Sequence, residues 1–284
     1  METNQHTKTI VYDGECPFCA AYTGAFVKMG ILGEKERVPF SEVKDPKFIS
    51  RMDVTRQGNE IPLVDMNGGE TIYGLDAMLF LLGKKWKWIT MLFKFKPLYF
   101  FFKRFYAMIS YNRRIILAKK FSELSCSCAP SFHLGYRLLF ILVAAILSSL
   151  ITFAFGNALV QTLPMTVEHA GMKMLAICGT GWVVTMILSM AFMKKNVIDY
   201  IGHLAVLQII GVFVLLPSIF IAPHIGFAGL ILCLLNVLFS SAWMLRGHIK
   251  RVRVLGISQA WTVIWFFSLQ STALFWVLKF SHSL

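Results

Sequence analysis

The sequence predicts a small α/β domain at the N-terminus, followed by an all-α bundle of about five membrane-spanning helices. Two observations predict the domain: an apolar strand runs into a Cys-x-x-Cys helix start within residues 9–30, and two strands and a helix follow within residues 62–82. Five apolar stretches after residue 134, each near the length of a bilayer span, predict the bundle. The composition agrees, because 56% hydrophobic and 15% charged residues make a 284-residue chain too apolar for a soluble protein.

The stretch Asp13-Gly14-Glu15-Cys16-Pro17-Phe18-Cys19 carries the clearest chemistry. Two thiols at this spacing on the first turn of a helix can close and reopen a small disulfide ring. The helix N-terminus favours the thiolate through its unpaired N–H groups and its positive dipole end. Pro17 suits the first turn because it has no N–H to leave unpaired. A lone Cys-x-x-Cys pair is equally compatible with half of a zinc site, so the surrounding sequence must decide.

The surrounding sequence favours redox chemistry over zinc binding. We expect a strand at 9–12, a helix at 17–30, a short strand near 37–40, a polar, weakly helical region at 45–56, strands at 62–66 and 70–73, and a helix at 75–82. Ile61-Pro62 opens the first strand of the later pair, a tight turn follows at Asn67-Gly68-Gly69, and Asp76 lies near the start of the last helix. A zinc ribbon has no use for this arrangement.

Together with Tyr73-Gly74-Leu75-Asp76-Ala77, Tyr106 and Asn112-Arg113, the D-x-x-C-x-x-C motif resembles the DCC family of thiol–disulfide oxidoreductases over roughly residues 8–114. The Cys-Pro-Phe-Cys motif and the Pro62–Asp76 segment are also similar to glutaredoxins. These resemblances imply a thioredoxin-like fold and a dithiol activity. They imply a cis-proline at Pro62 beside the reactive sulfur, and a site for a glutathione-like γ-glutamyl group at Gly74 and Asp76.

For the mechanism we expect Cys16, as the more exposed thiol, to attack a disulfide, and Cys19 to resolve the mixed disulfide. Pro62 then shapes the binding edge. Asp13 has two interpretations: a buried carboxylate that takes the proton from Cys19, or a turn residue that caps the N–H of Glu15 or Cys16. A disulfide-bearing protein or glutathione is the expected partner, and glutathione or a thioredoxin-type reductant the expected electron donor. No tightly bound cofactor, metal or nucleic acid is expected.

The positive charge is concentrated next to the predicted spans. Residues 1–83 carry 8 Lys/Arg against 12 Asp/Glu, whereas residues 84–137 carry 12 against 1. In residues 84–134 these basic residues alternate with aromatic ones, which is typical of helices in the headgroup interface and indicates membrane lipids as partners. The alternative is a basic helix packed on the soluble domain. We therefore divide the chain into a redox domain at 1–83, juxtamembrane helices at 84–134 and a transmembrane region at 135–284.

The predicted spans are 135–155, 172–193, 198–221, 224–245 and 257–279. Lys and Arg gather before the first span and after the second and fourth, while the other two connections have none. The positive-inside rule then makes the chain a multi-pass protein of the bacterial inner membrane type, with the redox domain cytoplasmic and the C-terminus outside. In the cytoplasm a transient disulfide is catalytic or sensory rather than structural.

The other cysteines have several interpretations. Cys126 and Cys128 precede the first span and have three interpretations: a second dithiol that exchanges with the first, part of a zinc site with Cys16 and Cys19, or ordinary juxtamembrane thiols or lipid-acceptor sites. Cys178 and Cys233 lie within spans, as packing residues or as parts of a transmembrane relay.

Two further function classes stay open beside the oxidoreductase. One is a redox sensor that regulates a membrane transporter or receptor, and the other is a metal-binding membrane assembly factor.

Overall fold

The computed structural model describes residues 8–119, 130–193 and 196–281, without the side chains of Lys47 and Val54. It has a mixed α/β region followed by five long apolar helices, which confirms the predicted fold class. The described residues pack as two compact units, one of residues 8–114 with 130–136, the other of residues 115–119 with 137–193 and 196–281. The boundary expected at residue 83 falls inside the first unit, and the three-part division stays a prediction.

The first unit is built on a four-stranded mixed sheet. Its strands and helices are β1 (Lys8–Tyr12), α1 (Pro17–Lys28), β2 (Arg37–Pro39), α2 (Pro46–Ile49), α3 (Val54–Gln57), β3 (Pro62–Asp65), β4 (Ile72–Tyr73), α4 (Gly74–Lys85), α5 (Lys87–Leu92) and α6 (Lys96–Tyr111). The strand order is β2-β1-β3-β4. β1 pairs in parallel with β2 and antiparallel with β3, which pairs antiparallel with β4. The elements come in the predicted order.

Local chemistry explains why β3 turns back as β4. Gly68 has φ +99°, a backbone conformation that favours glycine. The Asp65 side chain accepts a hydrogen bond from the N–H of Asn67 at 2.9 Å, which closes the turn. The central strands β1 and β3 bury consecutive apolar residues, and Val11 and Val64 pack on Phe48 and Met52. This core holds the strand–helix corner at Asp13–Cys16 in place.

Helix α6 packs on the α/β region along one face. Tyr99 of α6 donates a hydrogen bond to the carboxylate of Asp76 at 2.7 Å, and Lys103 pairs with the same carboxylate. The opposite face exposes Phe100, Phe101 and Phe105. One face of this basic, aromatic helix is therefore packed on the α/β region, as in the alternative given for residues 84–134. A position of the other face in the headgroup interface stays a prediction.

Within the part of the chain that the structure describes, five helices are long and apolar enough to cross a membrane, and they suggest a multi-pass membrane protein. A short helix, α7 (Arg113–Leu117), precedes them. The five are α8 (Leu134–Val160), α9 (Ala170–Phe192), α10 (Val197–Ile221), α11 (Phe227–Leu255) and α12 (Ala260–Ser281). All five predicted spans contain one of these helices; four of the helices are longer than the predicted spans, and α11 and α12 begin three residues later than expected.

Asp199 and His203 of the second unit have partners from other helices. Asp199 forms an ion pair with Arg137, and His203 Nδ1 lies 3.3 Å from the Arg251 guanidinium. Cys233 is buried against Phe155, as a packing residue would be.

Candidate active site

The two cysteines lie at the start of α1, as the motif predicts. Cys16 is the N-cap residue, and its Sγ accepts a hydrogen bond from the backbone N–H of Cys19 at 3.4 Å. Pro17 occupies the first turn. Both thiols are free and buried, with exposed fractions of 0% for Cys16 and 2% for Cys19. Both thiols are thus almost fully enclosed, although the neighbouring Pro17 and Phe18 are exposed, and the expectation that Cys16 is the more exposed thiol stays a prediction.

The surroundings shift the pKa values of the two thiols in opposite directions. The hydrogen bond donated by the Cys19 thiol lowers the pKa of Cys16 to about 6, helped by the Cys19 N–H and the Arg113 charge and opposed by burial. The same bond between the thiols, and then burial, raise the pKa of Cys19. In the reduced pair, Cys16 is therefore the thiolate at neutral pH and Cys19 keeps its proton. This is the arrangement that N-capping by a sulfur favours.

Arg113 is a candidate site residue to which the sequence assigned no role. The residue is 7% exposed, and its Nη1 lies 2.9 Å from Sγ of Cys19. It also donates hydrogen bonds to the carbonyl oxygens of Gly58, at 2.6 Å, and Ser110, at 3.3 Å. A buried cation needs such partners, since removing a charge from water is costly. Asn112-Arg113 was part of the DCC-type pattern, but only the packing of α6 reveals which sulfur the arginine reaches.

Asp13 caps the turn before the dithiol. One carboxylate oxygen accepts a hydrogen bond from the N–H of Glu15 at 2.9 Å, which confirms the capping interpretation. The other, Oδ2, is buried and has no hydrogen-bond partner among the residues that the structure describes. Burial raises the pKa of Asp13 above its usual range, although the Glu15 N–H and Arg113 act in the opposite direction. A role as the base for Cys19 stays a prediction.

A cavity of about 480 Å³ lies beside Cys19 in the first unit. Its walls are mostly apolar and come from α1, α4, α6, the residue before β3 and the first residue of α7; they are Phe18, Cys19, Ala21, Tyr22, Ile61, Met78, Tyr106, Ile109, Ser110 and Arg113. A pocket of this size suits a small molecule or a single inserted side chain. Cys16 is absent from these walls, so the cavity approaches the dithiol from the Cys19 side.

Two tyrosines line this cavity. The phenol oxygen of Tyr22 is buried and lacks a hydrogen-bond partner within the described residues. Tyr106 Oη accepts a hydrogen bond from the N–H of Ile61 at 3.4 Å. Burial raises the pKa of Tyr22 well above its ordinary value and that of Tyr106 to about 12. Both phenols are therefore protonated at neutral pH, and the Tyr22 hydroxyl can donate a hydrogen bond to a bound molecule.

The three residues expected to bind substrate lie outside the cavity walls: Pro62, Gly74 and Asp76. The Ile61–Pro62 peptide bond is trans, contrary to the cis bond that the resemblance implied, and Ile61 is the residue that reaches the cavity. Asp76 is bonded to Tyr99 and Lys103 of α6. Glutathione binding at these three positions stays a prediction.

The second dithiol at Cys126 and Cys128 lies outside the described residues. Within the described ranges, no group of three or more His, Cys, Asp or Glu side chains is arranged to hold a metal ion.

Comparison with known proteins identifies the first part of the chain. Residues 10–119 match the family described as DCC1-like thiol-disulfide oxidoreductase. The match covers the dithiol, the cavity walls and Arg113, and ends before the five apolar helices. Neither curated proteins nor solved structures gave a match.

Proposed function

We propose that the DCC1-like thiol-disulfide oxidoreductase domain at residues 10–119 exchanges the Cys16–Cys19 dithiol with a disulfide substrate while the five apolar helices anchor it in a membrane. The observation that carries this proposal is the buried Arg113 guanidinium, 2.9 Å from Cys19 Sγ and beside an N-capping Cys16. A cation in this position stabilises the thiolates that exchange requires. A buried cysteine pair used only for packing has no need of it.

The helix cap and the arginine support different sulfurs. Cys16 is held as the thiolate by hydrogen bonds from Cys19, and Arg113 contacts the other sulfur directly. When the Cys16–Cys19 disulfide opens, one of the two sulfurs is released as a thiolate. A hydrogen-bond donor stabilises this thiolate if it is Cys16, and the Arg113 charge stabilises it if it is Cys19. Stabilising the leaving thiolate speeds exchange, because a thiol of lower pKa is the better leaving group.

We propose that the redox domain lies on the cytoplasmic side and that its basic segment contacts anionic lipid headgroups. The distribution of Lys and Arg along the sequence supports this orientation. The exposed Phe100, Phe101 and Phe105 on α6 support an interfacial position for that helix. Glutathione or a thioredoxin-type reductant is then the electron donor to test.

The test uses the full-length protein in lipid nanodiscs, with a peptide disulfide as substrate and glutathione or thioredoxin as reductant. The Cys16→Ser/Cys19→Ser variant is expected to fall to the uncatalysed rate with either reductant. A matched control, Cys178→Ala, removes a thiol of the second unit and is expected to keep the wild-type rate. Turnover that survives the loss of both Cys16 and Cys19 would contradict the proposal.

A further inference from the structure

The five long helices of the second unit surround a cavity of about 380 Å³, which we call the bundle cavity. Each helix from α8 to α12 contributes to its walls. Its volume is in the range of small-molecule sites, about 300–1,000 Å³, and such sites often lie between the helices of a bundle. The bundle cavity belongs to the second unit alone and is separate from the cavity beside Cys19.

The helices pack closely in two pairs, and the bundle cavity is bounded by both pairs and by α8. α9 packs against α12, and α10 packs against α11. Glycines permit both approaches: a Cβ on Gly181 of α9 would lie 2.7 Å from Leu269 of α12, and one on Gly211 of α10 would overlap Met244 of α11. Small residues let helix backbones approach each other closely in membranes. The close contacts are thus made within each pair, which leaves space where the two pairs meet.

The walls of the bundle cavity favour a neutral, apolar molecule. None of the wall residues in the described part of the chain carries a charge. Phe155 and Trp182 supply aromatic surface, and Val212 and Leu215 supply aliphatic surface. A charged ligand would lose its hydration here without gaining a counter-ion from the walls.

Ser148 adds one specific polar group to these walls. The residue is 1% exposed, and its Oγ is buried without a hydrogen-bond partner among the described residues. By contrast, the buried hydroxyls of Thr185 and Ser189 each donate to a carbonyl oxygen of the preceding turn at 2.8 Å. A buried hydroxyl without a partner is costly. A ligand with a hydrogen-bond acceptor would remove this cost at Ser148.

The bundle cavity opens toward the outer surface of the helices. Two of its wall residues on α11 are exposed, Leu234 at 54% and Val237 at 39%. If α11 crosses a membrane, as its length and composition indicate, these side chains face lipid. A ligand that enters on this side must therefore be soluble in the bilayer.

We propose that the bundle cavity binds a neutral, lipid-soluble ring compound of the quinone class, and that the Ser148 hydroxyl donates a hydrogen bond to one of its carbonyl oxygens. A lipid acyl chain suits the apolar walls but offers Ser148 no acceptor. A quinone has two carbonyl acceptors and no donor of its own, and the amide of Gln208, another wall residue, is a second source of N–H donors. This inference rests on the proposed membrane position of the five helices and not on dithiol exchange. It gives those helices a ligand-binding role beyond anchoring the redox domain.

The test compares two ligands of the same ring system on the full-length protein in nanodiscs. 2,3-Dimethyl-1,4-naphthoquinone carries two carbonyl groups and has no free ring position next to them for the addition of a thiol. 2,3-Dimethylnaphthalene lacks both carbonyl groups. Equilibrium dialysis against empty nanodiscs of the same lipid measures the ligand bound beyond that dissolved in lipid. We expect one saturable quinone site per protein, and binding of the hydrocarbon about tenfold weaker.

Ser148→Ala tests the hydrogen bond with little change in volume. We expect the affinity for the quinone to fall about fivefold and that for the hydrocarbon to stay unchanged. Ser189→Ala is the matched control, because this buried serine already donates to Met186 and lies outside the walls; it is expected to leave both affinities unchanged. An unchanged affinity for the quinone in Ser148→Ala would overturn the role of Ser148.

Filling the bundle cavity tests the location of the site. Leu215→Trp enlarges a wall side chain, and we expect the affinity for the quinone to fall at least fivefold. Leu142→Trp, at an exposed leucine of α8 outside the walls, is the control and is expected to bind the quinone like the wild type. No saturable quinone binding to the wild type, equal affinities for the two ligands, or an unchanged affinity in Leu215→Trp would overturn the proposal. Equal affinities would indicate a lipid chain as the natural occupant.

Dithiol exchange measured on the same nanodiscs separates this inference from the proposed function. Quinone binding without exchange would refute the proposed exchange and leave the bundle cavity as a quinone site. Exchange without quinone binding would refute this inference alone. A protein that does not insert into the nanodiscs would refute the membrane anchoring, which the two proposals share.

Discussion

Arg113 Nη1 lies 2.9 Å from Sγ of Cys19, although 94 positions separate the two residues along the chain. The contact brings the first residue of α7 to the start of α1. Arg113 is buried, so its charge is weakly screened, and it acts to lower the pKa of both sulfurs. The dithiol site therefore includes Arg113, which comes after the strands and helices of residues 8–85 in the sequence.

Replacing Arg113 with Gln is expected to raise the pKa of Cys16 and make the dithiol a weaker oxidant. The reason is that the positive charge lowers this pKa and stabilises the reduced form. A rise of one unit in the pKa of Cys16 corresponds to about 1.4 kcal/mol. For a two-electron couple this makes the reduction potential about 30 mV more negative. Thiolate titration by iodoacetamide and equilibration with redox buffers measure the two effects. Arg113→Lys keeps the positive charge and is the control; it is expected to change the pKa of Cys16 and the reduction potential only slightly. An unchanged pKa of Cys16 in Arg113→Gln would contradict the stabilising role of Arg113.

The reduction potential is expected to change its pH dependence near pH 6. The pKa of Cys16 is lowered to about 6, so the thiolate stabilises the reduced form above this pH and that stabilisation is lost as the pH falls through it. Reduction takes up two protons below the break and one above it. The slope should therefore change from about −59 to about −30 mV per pH unit. Redox equilibration of the full-length protein from pH 5 to pH 8 measures the slope, and a single slope across this range would exclude the lowered pKa.

Asp13→Asn is expected to preserve the turn and lower the pKa of Cys16 further. The amide oxygen can still accept the Glu15 N–H, while the negative charge that raises the pKa of Cys16 is removed. The pH–rate profile of exchange would then shift to lower pH, with its maximum within about threefold of the wild type. A loss of tenfold or more at the maximum, with the fold intact, would instead show that Asp13 transfers the proton of Cys19.

Gly74→Ala is expected to destabilise the redox unit. Gly74 has φ +58°, and an added Cβ would lie 3.0 Å from Cε1 of Tyr106. Strain and crowding of this kind cost about 1–3 kcal/mol. The thermal midpoint of loss of dithiol exchange, measured in nanodiscs, should fall by several degrees. Gly24→Ala is the control, because the added Cβ would lie 4.0 Å from the nearest side chain, Arg37. An equal fall of the thermal midpoint in both variants would contradict the explanation by strain and crowding at Gly74.

The orientation can be tested at an exposed residue between α8 and α9. Met165→Cys is expected to react with a membrane-impermeant maleimide in intact cells, since this connection lacks Lys and Arg and is expected to lie outside. A cysteine at Ile257, between α11 and α12 on the basic side, is the control and is expected to react only after permeabilisation. The opposite pattern would invert the proposed topology.

Local patterns were sufficient to predict most of the fold. The Cys-Pro-Phe-Cys helix start, the turn at Gly68 and the five apolar stretches depend on residues close in sequence, so spacing and composition reveal them. The extent of the first compact unit did not follow from such patterns. Its helix α6 combines a packed face with an exposed aromatic face, and the same composition suits a helix at a membrane surface.

The candidate site was predictable only in part. The motif identified Cys16, Cys19 and the capping role of Asp13. It could not show that both sulfurs are buried, or that Arg113 reaches Cys19, because both depend on tertiary packing between α1 and the end of α6. The cavity walls come from segments as distant as Phe18 and Ile109, and no local spacing indicates such a contact.

The most direct test of the account is the reduction potential of the Cys16–Cys19 pair in the full-length protein. The protein in nanodiscs is equilibrated with glutathione or dithiothreitol redox buffers, and mass spectrometry measures the alkylated fraction of the peptide that contains both cysteines. We expect one reversible two-electron couple between about −120 and −270 mV, the range of catalytic dithiols. A pair that forms no disulfide at any poise, or a disulfide reduced only below about −300 mV as structural ones are, would contradict a catalytic role for this site.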